Sequence, residues 1–206
     1  MKLRRSVLLQ LLALALVVAM SFCALPFLGR MVPIHWDLQG RADAWGSPAF
    51  ALLLGPVVVM GLIGGTFALA RRPGLGKEAL FLGMAIVAGF FVGEHGLVLG
   101  ATLLRGFFPI RPLLALVFGL FAGLAPVMAR VEQNPWFGVR TPWTLGSRRV
   151  WKATHRATGR LWLVGGLLGA AMTLFAPFAL LLIYLLALAF APVAISYRVW
   201  LKMGRP

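Results

Sequence analysis

Three clusters in this 206-residue sequence carry residue types that do chemistry. In "VPIHWDLQGRADAWGSP", residues 32–48, His35, Asp37 and Asp43 combine an imidazole with two carboxylates. Alternate residues of an extended chain share a face, so His35 and Asp37 would lie together, and Asp43 could join them as a weak metal or proton site. Two or three ligands at irregular spacing are a poor zinc pattern, so a structural or partner-facing role is preferred. Pro33 biases Val32 toward extended backbone. Gly40 and Gly46 give turn freedom, and Asp43 and Ser47 can bond nearby amides.

The second cluster is Glu94-His95, inside the apolar run "GFFVGEHGLVLG". Ionisable groups at that depth are expensive and mark functional candidates by default. Neighbours on a helix are turned about 100° apart, so both cannot face one partner. Glu94 would carry the proton in a transport path; in a structural pair it would accept bonds from a Trp, Tyr or Arg of another helix. No second intramembrane acid completes a relay. The pairs Gly89/Gly93 and Gly96/Gly100 each have a four-residue spacing, which lets helices approach closely.

The third is "NPWFGVRTPWTLGSRRVWKATHRATGR", residues 134–160, with six basic residues, three Trp, one His and no acid. Asn134-Pro135 and Thr141-Pro142 read as turns. Trp136, Phe137 and Trp143 are amphipathic anchors suited to the headgroup level. Ser147 is a candidate N-cap. On the helix that follows, Arg148, Arg149, Lys152, Arg156 and Arg160 share an arc of about 120°, with Val150, Trp151 and Thr154 opposite and His155 at the edge. The expectation is a short interfacial amphipathic helix, attracted to anionic lipid or to an acidic partner.

The elements that must position these groups are membrane helices. Hydrophobic residues make up 61% of the chain and charged ones 12%, half the charged share of a soluble domain, and mean hydropathy is +0.91. A span takes roughly 20 apolar residues, and six stretches qualify: 6–28, 50–70, 79–104, 112–130, 160–176 and 178–198. The first has the basic start of a signal peptide but too long an apolar run, and is read as an uncleaved membrane helix. Cys23 is the sole cysteine, which excludes an internal disulfide.

The net charge of +15 would point to nucleic acid in a soluble protein. With the N-terminus inside, sixteen of the twenty basic residues fall on one side; only Arg30, Arg41, Arg105 and Arg111 fall on the other. That asymmetry is the positive-inside pattern. It predicts an all-α six-helix bundle with both termini in the cytoplasm, and it removes direct nucleic-acid binding as an explanation. Two units are expected: residues 1–72, two helices with an extracytoplasmic loop at 29–49, and residues 73–206, four helices with a cytoplasmic loop at 130–160. "GRADAWGS" and "GVRTPWTLGS" also share a Gly, Arg, Trp, Gly-Ser series, as an inverted repeat would, though chance explains so short a match.

"VPIHWDLQGRADAWGSP" resembles the signature of a bacterial membrane domain found N-terminal to the SdpI module. "NPWFGVRTPWTLGSRRVWKATHRATGRL" resembles the SdpI-family signature. The resemblance implies a six-span bacterial inner-membrane protein giving immunity to a secreted sporulation-delaying peptide toxin. It also implies a receptor that captures a cytoplasmic autorepressor at the membrane. The matching inner positions are Asn134, Trp136, Gly138, Arg140, Thr141, Pro142, Trp143, Trp151, His155, Arg156 and Gly159; the outer ones are Pro33, His35, Gly40, Asp43 and Trp45. The expected partners are membrane lipid, a peptide toxin outside and a cytoplasmic regulator at the inner loop, with no cofactor and no enzymatic activity. The alternative is a small transporter or channel using Glu94 and His95. A membrane metalloenzyme on His35, Asp37 and Asp43 is the third reading.

Overall fold

The computed structural model describes residues 2–72, 76–104 and 108–203. Arg105, Arg205 and the side chain of Lys2, all used in the charge argument, lie outside the described residues. The order is α1 (Lys2–Ala24), a 3₁₀ turn (Leu25–Phe27), β1 (Val32–Trp36), β2 (Ala42–Gly46), α2 (Pro48–Leu69), α3 (Lys77–Leu103), α4 (Ile110–Arg130), α5 (Pro142–Gly146), α6 (Arg148–Met172) and α7 (Phe178–Met203). Helices α1, α2, α3, α4 and α7 are long and apolar enough to cross a membrane. The chain is therefore an all-α polytopic membrane protein with one added β-hairpin. Helix α6 is also long, 25 residues, and packs against α4 and α7, but basic residues fill its first half.

Two expectations change here. The interfacial helix and the fifth span are one continuous helix, α6, whose buried stripe runs from Val150 and Trp151 through Gly159 to Gly166 and Gly169 and packs on the bundle along its whole length. The glycines of α3 serve only in part as approach points. A Cβ on Gly93 or Gly96 would meet Leu116 or Met20, whereas Gly89 and Gly100 face open space. The closest approach is made by α6 instead: a Cβ on Gly159 would lie 2.8 Å from the Ala125 carbonyl oxygen, and one on Gly166 2.6 Å from that of Phe118. Those glycines let α6 lie directly on the backbone of α4.

Prolines inside helices leave a carbonyl four residues back without its amide partner. In lipid such a group must find another donor. Pro56 frees the Leu52 carbonyl, and the Ser21 hydroxyl of α1 donates to it at 2.7 Å. Pro192 frees the Leu188 carbonyl, and Trp162 Nε1 of α6 donates there at 3.2 Å. Pro56 and Pro192 thus each create an interhelical tie.

Both termini lie at one end of the bundle. Arg5 of α1, Lys77 of α3 and Arg130 of α4 line one cavity there, and Trp143 packs against Tyr197 and Trp200 of α7. At the other end the hairpin docks on the α3–α4 connection through Phe108 N–H donating to the Gly40 carbonyl at 2.7 Å. Arg111 Nη1 donates to the Thr173 and Ala176 carbonyls at 2.7 and 3.1 Å, capping the α6 terminus before α7.

Candidate functional site

The outer loop is a β-hairpin with Val32 opposite Gly46 and Pro33 opposite Trp45. Its turn is built by Asp37, whose Oδ1 accepts from Gln39 and Arg41 N–H at 2.9 and 2.8 Å, while Gly40 takes φ +79°. Val32, Ile34 and Trp36 pack down onto Ala24, Ala51, Val98 and Leu99, and Trp36 lies 5.0 Å from the Phe108 ring. His35 therefore points away from the bundle. Its Nδ1 bonds Asp43 Oδ1 at 2.6 Å across the strands, and both side chains stay largely exposed, beside an exposed Trp45.

The expected grouping of His35 with Asp37 and Asp43 is thus halved: Asp43 joins the imidazole, and Asp37 is spent on the turn. Among the described residues no three His, Cys, Asp or Glu side chains come together as a metal site. Asp43 does not bond a local amide. Ser47 does, accepting from Ala49 N–H to cap α2, with Pro48 at the first helical position.

The inner loop is ordered from within. Asn134 is buried, and its amide makes four bonds: Oδ1 accepts from Trp136 and Phe137 N–H, and Nδ2 donates to the Glu132 and Phe137 carbonyls. Arg140 Nη1 donates to the Pro135 carbonyl at 2.8 Å. Thr141 and Thr144 cap α5 reciprocally, with Pro142 at its first turn. Trp143 is held by α7: its Nε1 donates to Ser196 Oγ at 3.0 Å, and its ring stacks on Trp200. It is a clamp between loop and helix, whereas Trp136 and Phe137 remain exposed as expected of anchors. Arg72 covers the Trp136 ring at 5.5 Å.

At the centre lie Trp151 and His155, one turn apart on α6, fully buried and stacked 4.0 Å apart. Trp151 Nε1 donates to the Val131 carbonyl at 2.9 Å. His155 is no edge residue: Nδ1 lies 2.8 Å from the Trp151 carbonyl oxygen, and Val139 N–H donates to Nε2 at 2.9 Å. A carbonyl only accepts and an amide N–H only donates, so the ring is neutral with its proton on Nδ1. Burial lowers its pKa below the ordinary histidine value, and the bond to the Trp151 carbonyl partly offsets this. Gly138 is needed here twice over. Its φ is +114°, and a Cβ would lie 2.4 Å from His155 Nε2. The basic residues behave as expected: Arg148, Arg149, Lys152, Arg156 and Arg160 are all exposed, and Ser147 caps the helix.

Glu94 and His95 separate in the membrane core. His95 is buried with Nε2 2.9 Å from Ser21 Oγ, which itself donates to Leu52; Gly55 lies against the imidazole. His95 thus closes a three-helix junction of α1, α2 and α3. Glu94 is half-buried and, among the described residues, has no hydrogen bond or ion pair. Sequence reasoning missed Ser21, Gly55 and Ser196. The visible signal for the first two was a hydroxyl and a proline (Pro56) inside otherwise apolar spans.

The inner motif with its buried Trp–His pair, continued through α6 and α7, lies in a region that matches known proteins: the model of the SdpI/YfhL protein family matches residues 130–197. Through that region the chain is similar to the SdpI/YfhL protein family. A domain of unknown function (DUF1648) matches residues 12–60, which hold most of α1, the hairpin and the first half of α2. The chain is also 34% identical over 98 residues to "Immunity protein SdpI" of Bacillus subtilis (strain 168). That match covers 43% of this chain and 47% of the relative, so it spans about half the relative's length. No solved structure matches. The inverted repeat gains no support from the structure: "GRADAWGS" forms β2 and its approach, whereas "GVRTPWTLGS" forms a capped turn and α5.

Proposed function

We propose that this protein is an immunity protein of the bacterial inner membrane that protects its host against a secreted peptide toxin. Both termini and the inner loop face the cytoplasm, and the hairpin faces outward. The observation that carries the reading is the outward presentation of His35, Asp43 and Trp45 on a hairpin whose other face is locked to three helices. A rigid, exposed indole beside a His–Asp pair suits a hydrophobic peptide. The similarity to an immunity protein supports the same conclusion. The five exposed basic residues of α6 form the output face, where a cytoplasmic autorepressor would dock. Residues 1–72 would act as the sensing unit and 73–206 as the responding unit. The role is one of binding and signalling; no catalytic step is assigned to it.

The test is expression in a strain killed by a sporulation-delaying-type peptide. Survival is expected with the wild-type chain, and its loss with His35→Ala/Trp45→Ala at equal membrane abundance. Killing unchanged by the wild-type chain for every such peptide tried would count decisively against the proposal.

A further inference from the structure

Arg5, Lys77 and Arg130 come from three different helices and converge on one cavity of about 590 Å³ at the end of the bundle that bears the termini. Glu78 and Glu132 share its rim. Below the rim the lining turns apolar within about one turn, at Leu9, Leu82, Pro126 and Val127. The N-terminus of α3 opens into the same space, with Gly76 as an N-cap that supplies no side-chain bond. The positive pole of that helix therefore adds to the three cations.

Two apolar extensions leave this mouth. One, of about 350 Å³, begins at Leu9 and Leu82 and follows α1 and α3 as far as Leu16 and Val92. From Leu82 to Val92 is ten residues of helix, about 15 Å. The other, of about 310 Å³, shares Gly76, Ala79 and Val127 with the mouth and runs between α2, α3 and α4 toward Leu62 and Leu124. A charged mouth at the bundle end with two apolar arms leading inward has the shape and polarity of a two-chain amphiphile. Three cations against two carboxylates leave one net positive charge, which suits a single phosphate rather than a polyphosphate or a second anionic group.

We propose that this cavity binds one two-chain glycerophospholipid. Its phosphate sits among Arg5, Lys77 and Arg130, one acyl chain lies in the α1–α3 groove, and the other lies in the α2–α3–α4 arm. The phosphate and chains are common to phosphatidylglycerol and phosphatidylethanolamine. Glu78 and Glu132 would receive the glycerol hydroxyls of the first or the ammonium of the second.

The experiment is native mass spectrometry of the delipidated full chain in detergent, titrated with phosphatidylglycerol, phosphatidylethanolamine and one-chain lysophosphatidylglycerol. One saturable equivalent of two-chain lipid is expected, held at least about tenfold more tightly than the one-chain form, since the second arm then stays empty. Lys77→Ala/Arg130→Ala should weaken binding by about tenfold or more, and Arg198→Ala/Lys202→Ala, at the same end but away from the mouth, should leave it unchanged. Ala79→Trp should also weaken binding by filling the junction of mouth and inner arm. Should it fail to fold, the double charge variant, whose residues are exposed, still decides. A preference for either phospholipid identifies the headgroup and supports the site. Binding that never saturates, equal affinity for the one-chain lipid, or equal loss in both charge variants would overturn it.

Discussion

The hairpin at one end of the molecule and the 134–160 segment at the other both carry dense motifs, yet they use their residues in opposite ways. In the hairpin, His35, Asp43 and Trp45 point away from the bundle, and the strands are held by Val32, Ile34 and Trp36 on the other face. In the 134–160 segment, Asn134, Trp151 and His155 are buried, and the motif is itself the fastening. A recurrent residue pattern can therefore mark a surface in one place and a lock in another. Two-residue alternation along a strand leaves half the residues free, whereas a loop without regular hydrogen bonds must satisfy its backbone from its own side chains.

This contrast can be broken by substitution. The largest effect is expected from Trp151→Ala, which removes a fully buried indole and its bond to the Val131 carbonyl. It should cost about 3–5 kcal/mol of stability, read by denaturant or thermal unfolding in detergent. Gly138→Ala should cost about 3 kcal/mol, because a side chain at φ +114° is strained and meets His155. Limited proteolysis should then cut first between residues 134 and 146, and an uncut loop would show that the lock does not depend on this glycine.

Acid should loosen the inner loop selectively. Burial lowers the folded-state pKa of His155, so as pH falls the unfolded chain takes up the proton first. Stability from this group is complete above the ordinary value of 6.5 and is lost as pH falls from there toward the lowered folded value. The slope in that window is at most about 1.4 kcal/mol per pH unit, and His155→Gln should flatten it by up to that amount. An unchanged slope in the variant would remove His155 as the cause. The smallest effect is expected outside: Asp43→Asn should change stability by less than about 1 kcal/mol, since the pair with His35 is exposed. Under the proposed function, protection against toxin should nevertheless fall. A large stability loss there would mean that the hairpin, too, is a lock.

Much of the architecture was legible from pattern. Apolar runs gave the helices, Ser147 gave the start of α6, and the basic arc from Arg148 to Arg160 is exposed as periodicity implies. Trp136 and Phe137 stayed at the surface, as amphipathic side chains would. What could not be read was pairing across the sequence. Asp37 and Asp43 are equivalent as carboxylates, and only the hairpin register gives Asp43 to His35 and leaves Asp37 to the turn. His155 looked like an edge residue because helical angle says where a side chain points, not whether a loop 16 residues earlier folds over it. The α3 glycines and those of α6 have the same small-residue signature; which helix actually lies against which was needed to tell them apart.

By itself, the sequence determined that this is a membrane protein, where the apolar helices α1, α2, α3, α4 and α7 run, and that Ser147 caps α6. Those properties depend on transfer of contiguous segments into hydrocarbon and on local backbone bonds, so they need no knowledge of neighbours. Tertiary structure alone decided that α6 is one helix pressed onto α4, that proline-freed carbonyls tie α1 to α2 and α6 to α7, and that one motif faces out while the other is buried. Those outcomes depend on which donors meet which acceptors across helices, and that is fixed only when the whole bundle closes.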